Sequence, residues 1–92
     1  MVNIRLIGTI REAAGKSELN LESCEDIKEV LISLVQLLGD RFEEVLYDQV
    51  LNNPLPNVLI LLNGIEVNNL NGLETKIHDK DNLVLLSVTH GG

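Results

Sequence analysis

The residues in this sequence best suited to chemistry are its last four, Thr89-His90-Gly91-Gly92. There an aliphatic run gives way to two polar residues and then to two residues without side chains. Glycine has no Cβ and takes backbone angles closed to other residues. A glycine pair can therefore thread a narrow channel and carry the carboxylate of Gly92 to a distant site. With a pKa of about 3.5, that α-carboxylate is ionised at neutral pH and is a poor acyl electrophile. It needs activation before a nucleophile can attack it, and adenylation by ATP would make AMP the leaving group. At about 7% glycine usage a terminal pair arises by chance in roughly one chain in 200. Its position after a predicted central strand is what gives it weight, and a functionless end is the alternative.

Other reactive groups are sparse. Cys24 is the only cysteine, which excludes an intrachain disulfide and the paired ligand spacing of a structural zinc site. A reducing cytoplasm is the expected compartment. Cys24 with His78 or His90 would make a nucleophile and base, but a lone cysteine beside a helix start is more often structural. There is no glycine-rich phosphate loop, no zinc-ligand cluster and no Gly-x-Ser-x-Gly elbow. The chain is expected to catalyse nothing alone and to bind no metal or cofactor.

Charge narrows the range of partners. Fourteen acidic against seven basic residues give a formal net charge of −7, which repels nucleic-acid phosphates and anionic lipid over any broad contact. No direct nucleic-acid or membrane partner is expected. The acidity serves solubility or steers the chain toward a basic partner. The N-terminus, Met1-Val2-Asn3-Ile4-Arg5-Leu6, lacks the basic segment and apolar run of a signal peptide, and no stretch reaches membrane-spanning length.

The elements that must position the tail can be read in order. Val2, Ile4 and Leu6 alternate with Asn3 and Arg5 in a strand ending at Gly8, and Leu19 and Leu21 mark a second strand over Ser17 to Leu21. The two form a hairpin with a long connection. Ile27, Val30, Leu31, Leu34 and Leu38 fall on one helical face. Ser23 and Asp26 resemble a capping box at its start, and Gly39 is placed to end it in a left-handed conformation. A shorter helix is predicted from Arg41 to Asp48, capped by Asp40. Residues Leu51 to Asn57, with Pro54 and Pro56, read as a loop. Val58 to Leu62 and Ile65 to Val67 flank Asn63-Gly64, a strong hairpin signal. The final strand runs from Leu83 to Val88.

This order is α+β and matches the β-grasp, or ubiquitin-like, fold: a mixed sheet of four to five strands covered on one face by one main helix. The expected organisation is a single domain over residues 1–88 and a flexible tail over 89–92. The last strand then lies centrally beside the first and projects the tail into solvent.

One helix covers only one sheet face, yet the strands are apolar on both. Placing Leu83, Leu85, Ile60 and Leu62 toward the helix leaves Ile7, Leu59, Leu61, Val84 and Leu86 as an outer patch, a sign of a protein-binding surface. The alternative is that residues Leu51 to Asn57 fold over it.

Three features together resemble a known family. The Gly91-Gly92 end, the strand Leu83 to Val88 and the segment Ile10-Arg11-Glu12-Ala13-Ala14-Gly15 are similar to the ubiquitin-like sulfur carriers, including the small subunit of molybdopterin synthase and the thiamine-pathway carrier. The ending His90-Gly91-Gly92, preceded by Asp79-Lys80-Asp81-Asn82, looks more like the ubiquitin-related modifier. The resemblance implies a protein cosubstrate rather than an enzyme. An ATP-dependent activating enzyme would adenylate Gly92 and recognise Gly91 on the way, with His90 either read by that enzyme or a solvated spacer. Sulfur would then replace one carboxylate oxygen, and the thiocarboxylate would serve a transfer-RNA thiolase or the molybdopterin synthase large subunit. The same adenylate can yield an amide with a lysine of another protein, and the two fates can coexist. A β-grasp binding module that uses only its sheet face is the alternative from another class.

Overall fold

Strand β1 (Val2–Ile7) buries Val2, Ile4 and Leu6 and turns Asn3, Arg5 and Ile7 the other way, which is the period-two alternation of a strand with one packed face. A computed structural model places it in a mixed five-stranded sheet and describes residues 1–22, 24–47, 54 and 57–87. The remaining strands are β2 (Glu18–Leu21), β3 (Val58–Leu62), β4 (Ile65–Glu66) and β5 (Asn82–Ser87), in the spatial order β2-β1-β5-β3-β4. The β1–β5 pair is parallel and the others antiparallel. β5 is central beside β1, and the architecture is the β-grasp.

Helix α2 (Ile27–Leu38) buries Ile27, Val30, Leu31 and Leu34 against the inner sheet face, where Ile4, Leu6, Ile60, Leu83 and Leu85 complete the core. Its cap is Asp26, whose carboxylate accepts from the Glu29 amide at 2.9 Å. The expected box begins one turn earlier, at Ser23, which lies outside the described residues. The helix starts late because an antiparallel bridge between Asp26 and Lys76, with Ile27 N donating to Thr75 O at 3.1 Å, holds the chain extended through Asp26. Replacing Asp26 with Ala is expected to cost about 1 kcal/mol, read as a lower midpoint in urea unfolding with unchanged slope.

Gly39 closes α2 with φ 95° and ψ −173°, on the positive-φ side that favours glycine but outside the left-handed helical region, and it leads directly into α3 (Asp40–Leu46). Asp40 is inside that helix and Gly39 is its cap, while Asp48 lies outside the described residues. α3 buries Phe42 and Leu46.

Three elements were not expected. The β1–β2 connection holds a short helix, α1 (Thr9–Ala14), which buries Ile10. After β4, 3-10 turns at Val67–Asn69 and Gly72–Glu74 replace the predicted strand end at Val67. The Asn63-Gly64 turn forms as expected, with φ 49° and 86°, both positive as a type I′ hairpin requires.

At the far end of β5, the chain start packs onto the turn before it. The terminal ammonium pairs with Asp79 and holds that carboxyl below its usual range. Lys80 N donates to Met1 O at 2.9 Å and Asn3 N to Asp81 O at 3.0 Å. This fixes where β5 begins.

Candidate functional site

The site is built on β5 because that strand runs through the middle of the sheet and its C-terminal end is the one that continues in sequence to the glycine pair. Leu83 and Leu85 are fully buried, Val84 and Leu86 partly exposed. Ser87 is the last residue of β5. His90, Gly91 and Gly92 lie outside the described residues.

Register sorts the outer face into rows. Nearest the tail, Ile7, Leu86 and Leu59 stand side by side across β1, β5 and β3. The next row reads Glu18, Arg5, Val84, Leu61 and Glu66 from edge to edge. The third holds Asn20, Asn3 and Asn82, with the Asn3 amide donating to Glu18 at 2.8 Å and to Asn20 at 3.3 Å. All five expected patch residues therefore share one face. Ile7 is 41% exposed, and Leu59, Leu61, Val84 and Leu86 are half-buried by neighbouring strands. The face grades from aliphatic at the tail end to amide at the other.

The described part of the 51–57 loop does not sit on this face. Pro54 lines a cleft with Leu31, Ile32 and Tyr47 on the helix side, and the Asn57 amide donates to Val45 O at 3.5 Å.

Sequence reasoning passed over the charged flanks, Arg5, Glu18 and Glu66, and the residue at the strand end. Ser87 has the parity of Leu83 and Leu85, the buried side of an aliphatic strand, and a hydroxyl at such a position was the available signal. It is 9% exposed.

Among the described residues Cys24 makes no hydrogen bond to His78, and His90, the other partner considered, lies outside them. Burial pushes the thiol pKa up, with Glu29 and Asp26 adding to the rise against a hydrogen bond from Ser33, and Sγ lies 3.6 Å from Glu22 O. The His78 ring instead faces the Asp81 carboxylate, at 3.9 Å. Among the described residues no group of three or more His, Cys, Asp or Glu side chains is placed to hold a metal ion, and no helix is long and apolar enough to cross a membrane.

A family model described as the ThiS family matches residues 4–92. The chain belongs to that family. Its fold and size are those of the ubiquitin-like sulfur carriers and modifiers. The chain is 32% identical to small archaeal modifier protein 1 from Methanosarcina acetivorans, with 99% of this chain and 95% of that one covered at a TM-score of 0.84. The fold is also that of Urm1 from Trypanosoma brucei (20% identity, coverage 99% and 94%, TM-score 0.79). It is shared with the BexX/CysO complex structure from Amycolatopsis orientalis (16% identity, full coverage of both chains, TM-score 0.79). No curated protein sequence matches.

Proposed function

We propose that this chain is a cytoplasmic sulfur carrier whose reacting group is the Gly92 α-carboxylate. One carboxylate oxygen attacks the α-phosphorus of ATP in an activating enzyme, releasing pyrophosphate and leaving an acyl adenylate. Hydrosulfide then attacks the carbonyl carbon, expels AMP and gives up its proton, and the resulting thiocarboxylate delivers sulfur to a transfer-RNA thiolase or to a molybdopterin synthase large subunit. ATP is the activating enzyme's substrate; the carrier needs no cofactor of its own. What supports the reading is the family match, which runs through residue 92 and so includes the glycine pair.

The outer face supplies the docking surface in this reading. Ile7, Leu59 and Leu86 flank the strand end from which the tail departs, so an activating enzyme seated there receives Gly91 and Gly92 in its channel, with His90 at the channel mouth. A second fate is favoured by the 32% identity to a protein named as a modifier: attack on the same adenylate by a lysine amine, giving an amide-linked conjugate.

The test is the intact mass of the purified protein before and after incubation with the host activating enzyme, ATP and a sulfur donor. The expected result is a gain equal to sulfur replacing oxygen, localised to Gly92. Absence of both this gain and an adenylate, with an enzyme active on another carrier, overturns the reading in favour of a binding module.

A further inference from the structure

Helix α1 begins without a cap of its own. Gly8 occupies the cap position and has no side chain to offer the first-turn amides, which have no partner within the helix. The missing acceptor comes from the other end of the chain. Ser87 Oγ accepts from Ile10 N at 3.0 Å in a buried bond and donates to Ile7 O at 3.2 Å. The fit is close, because a Cβ at Gly8 would stand 2.5 Å from Ser87 Oγ and 3.1 Å from Ser87 O, and Gly8 has φ 90°. One hydroxyl thus ties the end of β5 both to β1 and to α1.

We propose that Ser87 is the positioning residue for the C-terminal carboxylate: its buried hydroxyl fixes the end of β5, to which the last five residues are joined. The inference rests on the carrier reading above. Five residues separate Ser87 from the end of Gly92, a reach of at most about 18 Å when fully extended. With so short a tether, the docking face sets where the strand end lies, and the strand end sets whether the carboxylate arrives. Loosening Leu86 and Ser87 lengthens the tether from five residues to seven, which by chain entropy alone costs less than about twofold. Losing registration is more serious, since a misplacement of about 1 Å at a reacting atom can cost about 100-fold.

The test is steady-state adenylation of the full chain by the host activating enzyme, comparing wild type, Ser87→Ala and Ser87→Thr. Far-UV circular dichroism confirms folding, and amide exchange at Ile10 reports the tie. With Ser87→Ala, Ile10 exchange is expected to accelerate and kcat to fall about tenfold, while KM, set by the docking face, stays within about twofold. Ser87→Thr keeps the hydroxyl and is expected to stay within about twofold of wild type in both. A merely structural role would lower stability and leave kcat of the folded variant unmoved. If the alanine variant does not fold, Ser87→Cys, a weaker donor and acceptor, carries the same prediction at about threefold. A folded alanine or cysteine variant with wild-type kcat, or a threonine variant as impaired as alanine, overturns the anchor. A wild-type chain that is not adenylated at all overturns the carrier reading itself, and the anchor with it.

Discussion

Deletion of Gly92 is expected to abolish both the adenylate and the sulfur-for-oxygen mass gain, while the urea midpoint stays where it is. The truncated chain still ends in a carboxylate, now on Gly91, so the chemistry of the group is unchanged and only its reach differs. One residue is worth about 3.3–3.6 Å of extended chain. Reacting atoms must approach to about 3–3.5 Å, and an error of about 1 Å can already cost about 100-fold. A carboxylate held back by a full residue is therefore out of range of the phosphorus it must attack. Among the described residues the buried core runs from Val2 to Leu85, and a glycine has no side chain to add to it, so stability is expected to stay the same. Intact-mass spectrometry on the two proteins under identical conditions makes the comparison. A truncated chain that gains sulfur as well as the full chain would rule out Gly92 as the reacting residue.

Where the sequence was readable, one periodicity carried the information. The parity of Leu83 and Leu85 against Val84 and Leu86 distinguishes the two faces of β5, and the register of β1 and β3 then places Ile7, Leu59 and Leu61 with the outer set. α2 was legible because its buried residues recur over about two turns. α1 was not, since six residues make under two turns and bury only Ile10, too few for a period to appear. The cap of α2 moved from Ser23 to Asp26 for a reason no local pattern contains: the partner holding the chain extended is Lys76, fifty residues on. The parity of Ser87 marked its hydroxyl as buried, but not what that hydroxyl holds. Its meaning lies in Gly8 and Ile10, which topology brings beside it and sequence keeps at the opposite end of the chain. The sheet order itself could be read from the order of elements, but the single side-chain and backbone contacts that it creates between distant residues could not.

Leu86→Asp is expected to raise KM for the chain in adenylation about 100-fold, leaving it folded and, at saturation, still competent. Leu86 sits between Ile7 and Leu59 on the outer face and is not part of the buried cluster, so the substitution leaves no cavity. Its cost to the isolated fold is chiefly the poor strand propensity of Asp, within about 1 kcal/mol. At a docked interface the same carboxylate would be buried without a partner. Residues at the centre of such a patch are worth about 2–4 kcal/mol, and about 2.7 kcal/mol corresponds to 100-fold. Asn82→Asp is the control, because it adds the same charge to the same strand and face at the amide-lined end and is expected to move KM by less than about threefold. Equal effects of the two would mean that net charge, not the aliphatic row, governs encounter. No effect of either would place the docking surface elsewhere. The tail and the face then separate by kinetic signature: shortening the tail removes the reacting group from reach and is not rescued by concentration, whereas damage to the face is. A module that worked through its sheet alone would invert that pattern, losing function with Leu86→Asp and keeping it without Gly92.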